Sequence, residues 1–203
     1  MKERPILFSA PMVRAILDGR KTQTRRVFGP AMRLFAESYD VEKDLQLKLC
    51  PYGQPGDHLW VRESFWGCDA PGYGDTPCVV YDDEWHGKVY RPAEVRPWAP
   101  RFGRIPSIHM PRNFSRITLE VTGVRAERLQ EINEQDAIAE GVEPYAIYGG
   151  KVASWKGSAA MDAARETARD AYRDLWDSLN AARGFGWDVN PWVWAVAFKR
   201  IGA

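Results

Sequence analysis

The sequence predicts a single α+β domain. Short strand patterns are scattered along its whole length, one long amphipathic helix pattern follows residue 159, and no internal repeat or low-complexity linker divides the 203 residues. Hydrophobic residues make up 45% and aromatics 12%, enough for a sizeable core and against global disorder. In chain order, residues 5–8 read as a short strand entering a helix over residues 10–18, where Val13, Ile16 and Leu17 sit at helical spacing. Ser9 is placed to cap that helix, Pro11 suits its first turn, and Gly19 suits a left-handed stop. Residues 29–56 read as irregular, with Pro51, Gly53, Pro55 and Gly56 marking turns. Residues 59–63 read as a strand entered from a Pro-Gly-Asp turn.

Residues 67–112 are rich in Gly, Pro, Tyr and Trp and lack periodicity apart from a short strand at residues 79–81; too long for an ordinary connection, they read as an insertion with its own role, that of a lid. Ile117, Leu119 and Val121 alternate with Thr118, Glu120 and Thr122, the pattern of a half-buried strand. Asn133 is placed to cap a short helix running through Glu140, with Gly141 as its stop. Residues 143–157 read as a further loop. Over residues 159–182 an apolar stripe of Ala164, Ala168, Ala171, Tyr172, Leu175, Trp176 and Leu179 opposes a charged face, the pattern of a core-packing helix. Residues 192–200 form a closing strand, apolar on both faces until Lys199, as in a barrel or a covered sheet.

The net charge of +1 is unevenly spread: residues 1–26 carry seven Lys or Arg against two acids, and residues 96–128 carry seven Arg against two acids. If these segments meet, they form a field suited to phosphate. Cys50, Cys68 and Cys78 show no zinc spacing, and the odd count, with no apolar leader, points to a reducing cytoplasm without structural disulfides. The longest fully apolar run, residues 192–198, is too short to cross a bilayer, so no membrane partner is expected. Neither a metal nor a cofactor is expected.

The segment Gly19-Arg20-Lys21-Thr22-Gln23-Thr24-Arg25-Arg26 concentrates the chemistry. After a glycine stop the chain leaves the helix, so Lys21 and Thr24 lie on a turn and the start of a strand, where side chains converge on a ligand. A solvated basic loop is the plain alternative. This segment, together with Pro55-Gly56-Asp57-His58-Leu59-Trp60-Val61-Arg62-Glu63, the strand at residues 116–122, the helix at residues 134–141 and the end at residues 192–200, resembles the ASCH family. The pieces cover about half of the chain in the family's order. Ser107-Ile108-His109-Met110-Pro111-Arg112 and the Trp-rich insertions are similar to the longer phage and prophage members.

The resemblance implies a small PUA-like β-barrel with flanking helices, forming one domain over residues 1–203 with insertions at about 64–112 and 143–190. It further implies an amidohydrolase that removes the acyl group from N(4)-acylcytidine or a related modified nucleoside, with Lys21, Thr24 and Glu140 as catalytic residues. The alternative it leaves open is a non-catalytic RNA-binding module, or a ribonuclease, of phage or prophage origin. In chemical terms, Thr24 supplies a hydroxyl, Lys21 takes its proton if a desolvated, cation-rich pocket depresses its pKa, and Glu140 protonates the leaving nitrogen. The bland reading of the same residues is a Lys21–Glu140 ion pair beside a strand threonine. Arg25 and Arg26 form the electrostatic surround. Arg26, Arg112 and Arg116 are candidate anion binders, Trp60, Trp66 and Trp98 candidate base-stacking platforms, and His109 a candidate acid–base group. Glu63 joins the binding candidates, with pairing to an arginine as its structural alternative. The partner expected is a modified nucleoside or RNA.

Overall fold

The computed structural model describes residues 1–38, 48–68, 78–81, 103–148, 151–156 and 164–202. Its central feature is a five-stranded sheet built from β1 (Glu3–Leu7), β2 (Gln23–Val27), β3 (His58–Arg62), β7 (Thr118–Arg128) and β11 (Trp192–Ile201), in the order β1-β3-β7-β11-β2. β1 runs parallel to β3, and the remaining neighbours are antiparallel. Two three-stranded sheets flank it. One joins β4 (Phe65–Cys68), β5 (Cys78–Tyr81) and β6 (Gly103–Ile105); the other joins β8 (Pro144–Tyr148), β9 (Lys151–Lys156) and β10 (Ala164–Arg165).

The expected closed barrel is not formed among the described residues: β1 and β2 are the two edges of the central sheet and do not pair with each other. The edges nevertheless come within reach of one side chain, because the Arg26 guanidinium donates to the Leu7 carbonyl. The doubly apolar pattern of β11 has its cause in packing on both faces. Trp194, Val196 and Phe198 enter one core with Ile6, Val61 and Leu119 and with Val13 and Ile16 of α1 (Ala10–Leu17). On the other face Val193 joins Leu129, Tyr172 and Trp176 in a second core beneath α4 (Ala168–Asn180). A third, smaller core gathers Phe65, Tyr81, Ile105, Met110 and Phe114.

Several boundaries differ from the sequence expectations. Residues 29–56 are not wholly irregular, since α2 spans Pro30–Ser38; the first proline suits an initial helical turn. Residues 143–157 are not a loop but contain the β8–β9 hairpin. The long helix begins at residue 168, where the Thr167 side chain accepts from the Asp170 amide as a true N-cap, and Ala164 lies in β10 instead. Ser9 does occupy the N-cap of α1, without a side-chain capping bond. Gly19 and Gly141 take left-handed conformations, at φ 73° and 88°. The register of β4 on β5 sets Cys68 opposite Cys78. Among the described residues no helix is long and apolar enough to cross a membrane.

Candidate functional site

The motif Lys21 to Arg26 folds as the sequence suggests. Gly19 ends α1, Lys21 forms an isolated bridge with Glu140, and β2 begins at Gln23. Glu140 sits at the C-cap of α3 (Glu134–Ala139), whose N-cap Asn133 accepts from the Asp136 amide. Gly141 is required directly after it: a Cβ there would stand 2.8 Å from the Lys21 Cβ, in a backbone conformation that side chains disfavour.

Lys21, Thr24 and Glu140 line one cavity of about 350 Å³. Arg25, Arg26 and Val27 continue its wall along β2, Leu7, Phe8, Ser9 and Met12 supply the opposite edge, and Tyr52 adds a phenol. Tyr172, Leu175, Trp176, Leu179 and Asn180 of α4 roof it, with Arg183 just beyond. The cavity thus occupies the seam between the unpaired edges β1 and β2.

The Lys21 amine donates to the Glu140 carbonyl at 2.7 Å and to the Glu140 Oε2 at 2.8 Å, and both residues are 3% exposed. The other carboxylate oxygen accepts from Arg25 at 3.2 Å. Arg25 is itself held by Glu127 at 2.6 Å and Asp136 at 2.8 Å, so one buried guanidinium gathers three carboxylates. Arg125 completes the network by donating to Glu127 at 3.0 Å and Asp136 at 2.9 Å. Burial pushes the Lys21 amine below the ordinary lysine value despite the opposing pull of Glu140, and Arg26 and Arg25 add to the depression. Burial also raises the Tyr172 phenol well above its usual value, with Glu140 acting in the same direction. The amine and the Arg26 guanidinium both lie over the Phe8 ring, at 5.7 and 5.1 Å.

The remaining candidates stand elsewhere. Arg116 forms a buried ion pair with Glu63 at 2.8 Å and stacks on Tyr81 at 4.1 Å. Trp60 is buried in β3 beneath Arg62, at 4.7 Å from its ring centre. Arg112 pairs with Glu3 at 2.8 Å, His109 is exposed in a short 3-10 turn, and Trp66 lies in β4. None of these lines the cavity. Trp98 and most of the expected lid lie outside the described residues. Among the described residues, no group of three or more His, Cys, Asp or Glu side chains is arranged to hold a metal ion.

Sequence reasoning missed Glu127 and Asp136 as partners of Arg25, and Phe8, Tyr52, Tyr172, Trp176 and Arg183 as walls. One signal was present for the helix residues: the apolar stripe reaches Leu179, which is 55% exposed and therefore not core.

No family model matches the chain, and no curated protein matches it. Among solved structures it is similar to an ASCH domain from Lactobacillus crispatus JV V101, at 12% identity and a TM-score of 0.42, over 98% of this chain and 79% of that one.

Proposed function

We propose that the protein is an amidohydrolase that removes the acyl group from N(4)-acylcytidine or a related modified nucleoside. The observation that supports this reading is the meeting of Lys21 and Thr24 with Glu140, more than a hundred residues further along the chain, in one aromatic-walled cavity. The sequence resemblance to ASCH amidohydrolases assigns the roles at these positions.

The buried pair is the source of both proton transfers. Moving one proton from Lys21 Nζ to Glu140 Oε2 across their 2.8 Å hydrogen bond yields a neutral amine and a carboxylic acid together. The amine then takes the Thr24 hydroxyl proton as Oγ1 attacks the acyl carbon. The amide C–N bond breaks as Glu140 protonates the leaving nitrogen, which restores the ion pair and leaves an ester on Thr24. Water, activated by the same pair, hydrolyses that ester and releases the acid. Arg25 keeps the Glu140 carboxylate in place through Oε1. The neutral Tyr172 phenol and the aromatic walls suit an uncharged base.

The test is release of acetate from N(4)-acetylcytidine by folded wild type. Lys21→Ala and Thr24→Ala should each lower kcat by about 10²–10⁴-fold while preserving the fold. No turnover of any acylcytidine by folded wild type rejects the proposal. The RNA-binding alternative draws less support, because Arg112 and Arg116 spend their charge on Glu3 and Glu63.

A further inference from the structure

The hydrolysis just described leaves two arginines of the cavity unused. Arg26 lies against Phe8 and donates to the Leu7 carbonyl, but its Nε is buried without a hydrogen-bond partner. Arg183 sits exposed on the 3-10 turn Ala181–Arg183, where it donates to Asn180 Oδ1 at 3.5 Å. Among the described residues neither arginine has a carboxylate within ion-pair distance, whereas Lys21 and Arg25 in the same cavity both do. Arg26 and Arg183 line the same cavity as Tyr52. Burial raises its phenol, and Arg26 and Arg183 both pull it back down, so the two charges act on one ring.

We propose that Arg26 and Arg183 form a phosphate subsite at the mouth of the cavity, so that the ligand is a cytidine nucleotide carrying a phosphate ester. This inference rests on the reading of the cavity as a cytidine site and names the form of substrate it takes. Two guanidinium groups without a counter-charge among the described residues hold a positive potential at the opening. Their planar donor forks match phosphate oxygens, and the free Arg26 Nε provides a donor that the fold leaves unused. The seam geometry then orders the ligand. Lys21 and Glu140 are deeply buried at one part of the wall, while Arg183 is in solvent at another. A base directed toward the former leaves its sugar phosphate near the latter.

Calorimetric titration of the full chain with cytidine and with cytidine 5′-monophosphate tests the subsite without relying on turnover. In wild type the monophosphate should bind about tenfold tighter or more, a difference that shrinks with salt. Arg183→Gln, a change on an exposed turn, should remove most of that difference. Equal affinity for the two ligands in wild type, no binding of either, or an unchanged difference in Arg183→Gln overturns the subsite. A cytidylyl dinucleotide distinguishes the source of the phosphate: gain by the monoester alone assigns a mononucleotide, and equal gain by the diester assigns a strand. Acetate release is scored separately. Phosphate-dependent binding without release rejects the hydrolysis and keeps the subsite, whereas release with equal binding rejects the subsite and keeps the hydrolysis.

Discussion

Lys21 joins burial to chemistry, because the same desolvation that opposes its charge makes its neutral form accessible as a base. Its pKa is lowered, so the neutral amine accumulates at a lower pH than in a free lysine. In the proposed hydrolysis the pair must hold one shared proton, so kcat/KM should fall as pH rises through an inflection below the ordinary value of 10.5, and Lys21→Arg should abolish that limb. A rate profile without the limb, or one unchanged by the substitution, excludes Lys21 as the base. The linkage has a definite sign: between the depressed folded value and 10.5 the unfolded chain binds the extra proton, so this group makes the fold more stable as pH rises. Arg25 has the opposite character, a permanent charge serving Glu127, Asp136 and Glu140. Arg25→Met strands these carboxylates together, and denaturant unfolding should show a loss of about 3–5 kcal/mol. A loss below about 1 kcal/mol would mean that the carboxylates find solvent or protons without it.

The elements depend on one another through a carboxylate that no local pattern reveals. Glu134, the first residue of α3, accepts from the Ala168 amide at 2.6 Å and the Arg169 amide at 3.1 Å, so it caps the first turn of α4 from another helix. α3 ends in Glu140 and α4 carries Tyr172 and Trp176, which makes Glu134 the link between the proton pair and the cavity roof. Glu134→Ala should lower stability by about 1.5–3 kcal/mol on denaturant unfolding, and faster amide exchange should appear in the first turn of α4. Unchanged exchange there would show that Thr167 alone suffices as the cap. Such long-range capping explains which parts were legible in the sequence. The α1 stop, the Asn133 cap and the β11 pattern are local, and they were readable. β7 extends to Arg128 beyond its alternating start, because Arg125 and Glu127 look like solvent residues until Arg25 and Asp136 come from elsewhere to pair with them. The same applies at the site: Lys21, Thr24 and Glu140 stood out by motif and spacing, whereas the walls depend on how α4 lies over β2. The central sheet left unclosed at its edges was equally hidden, since a strand apolar on both faces fits a barrel and a covered sheet alike.

At the scale of the whole molecule, the proposed function requires the seam between β1 and β2 to stay narrow without zipping into a barrel, and β1 must therefore be fastened from its far side. Asp57 provides that fastening, just ahead of β3. Its Oδ1 accepts from the Lys2 backbone amide at 2.7 Å, and its Oδ2 from Arg4 at 2.9 Å and the Gln54 amide at 3.2 Å. The turn is tight enough that a Cβ on Gly53 would come within 2.9 Å of both Arg4 and Asp57, at φ +103°. The Lys2 amide bond first, and then Arg4, bring the Asp57 carboxyl down to about 2 from 3.8. A carboxyl depressed in the folded state contributes stability that is complete above its unfolded value and disappears as pH falls through the folded one. The contribution of Asp57 should accordingly be constant from neutrality to about pH 4 and vanish toward about pH 2. Asp57→Asn should unfold more readily than wild type at pH 7, with the gap between the two closing over that acid window in denaturant titrations at stepped pH. Because β1 carries Leu7 and leads into Phe8, the variant should also loosen the cavity edge, seen as faster amide exchange at Phe8, whose amide donates to the Arg62 carbonyl at 3.0 Å. A stability gap that persists unchanged down to pH 2 would show that Asp57 acts through packing and not through its charge.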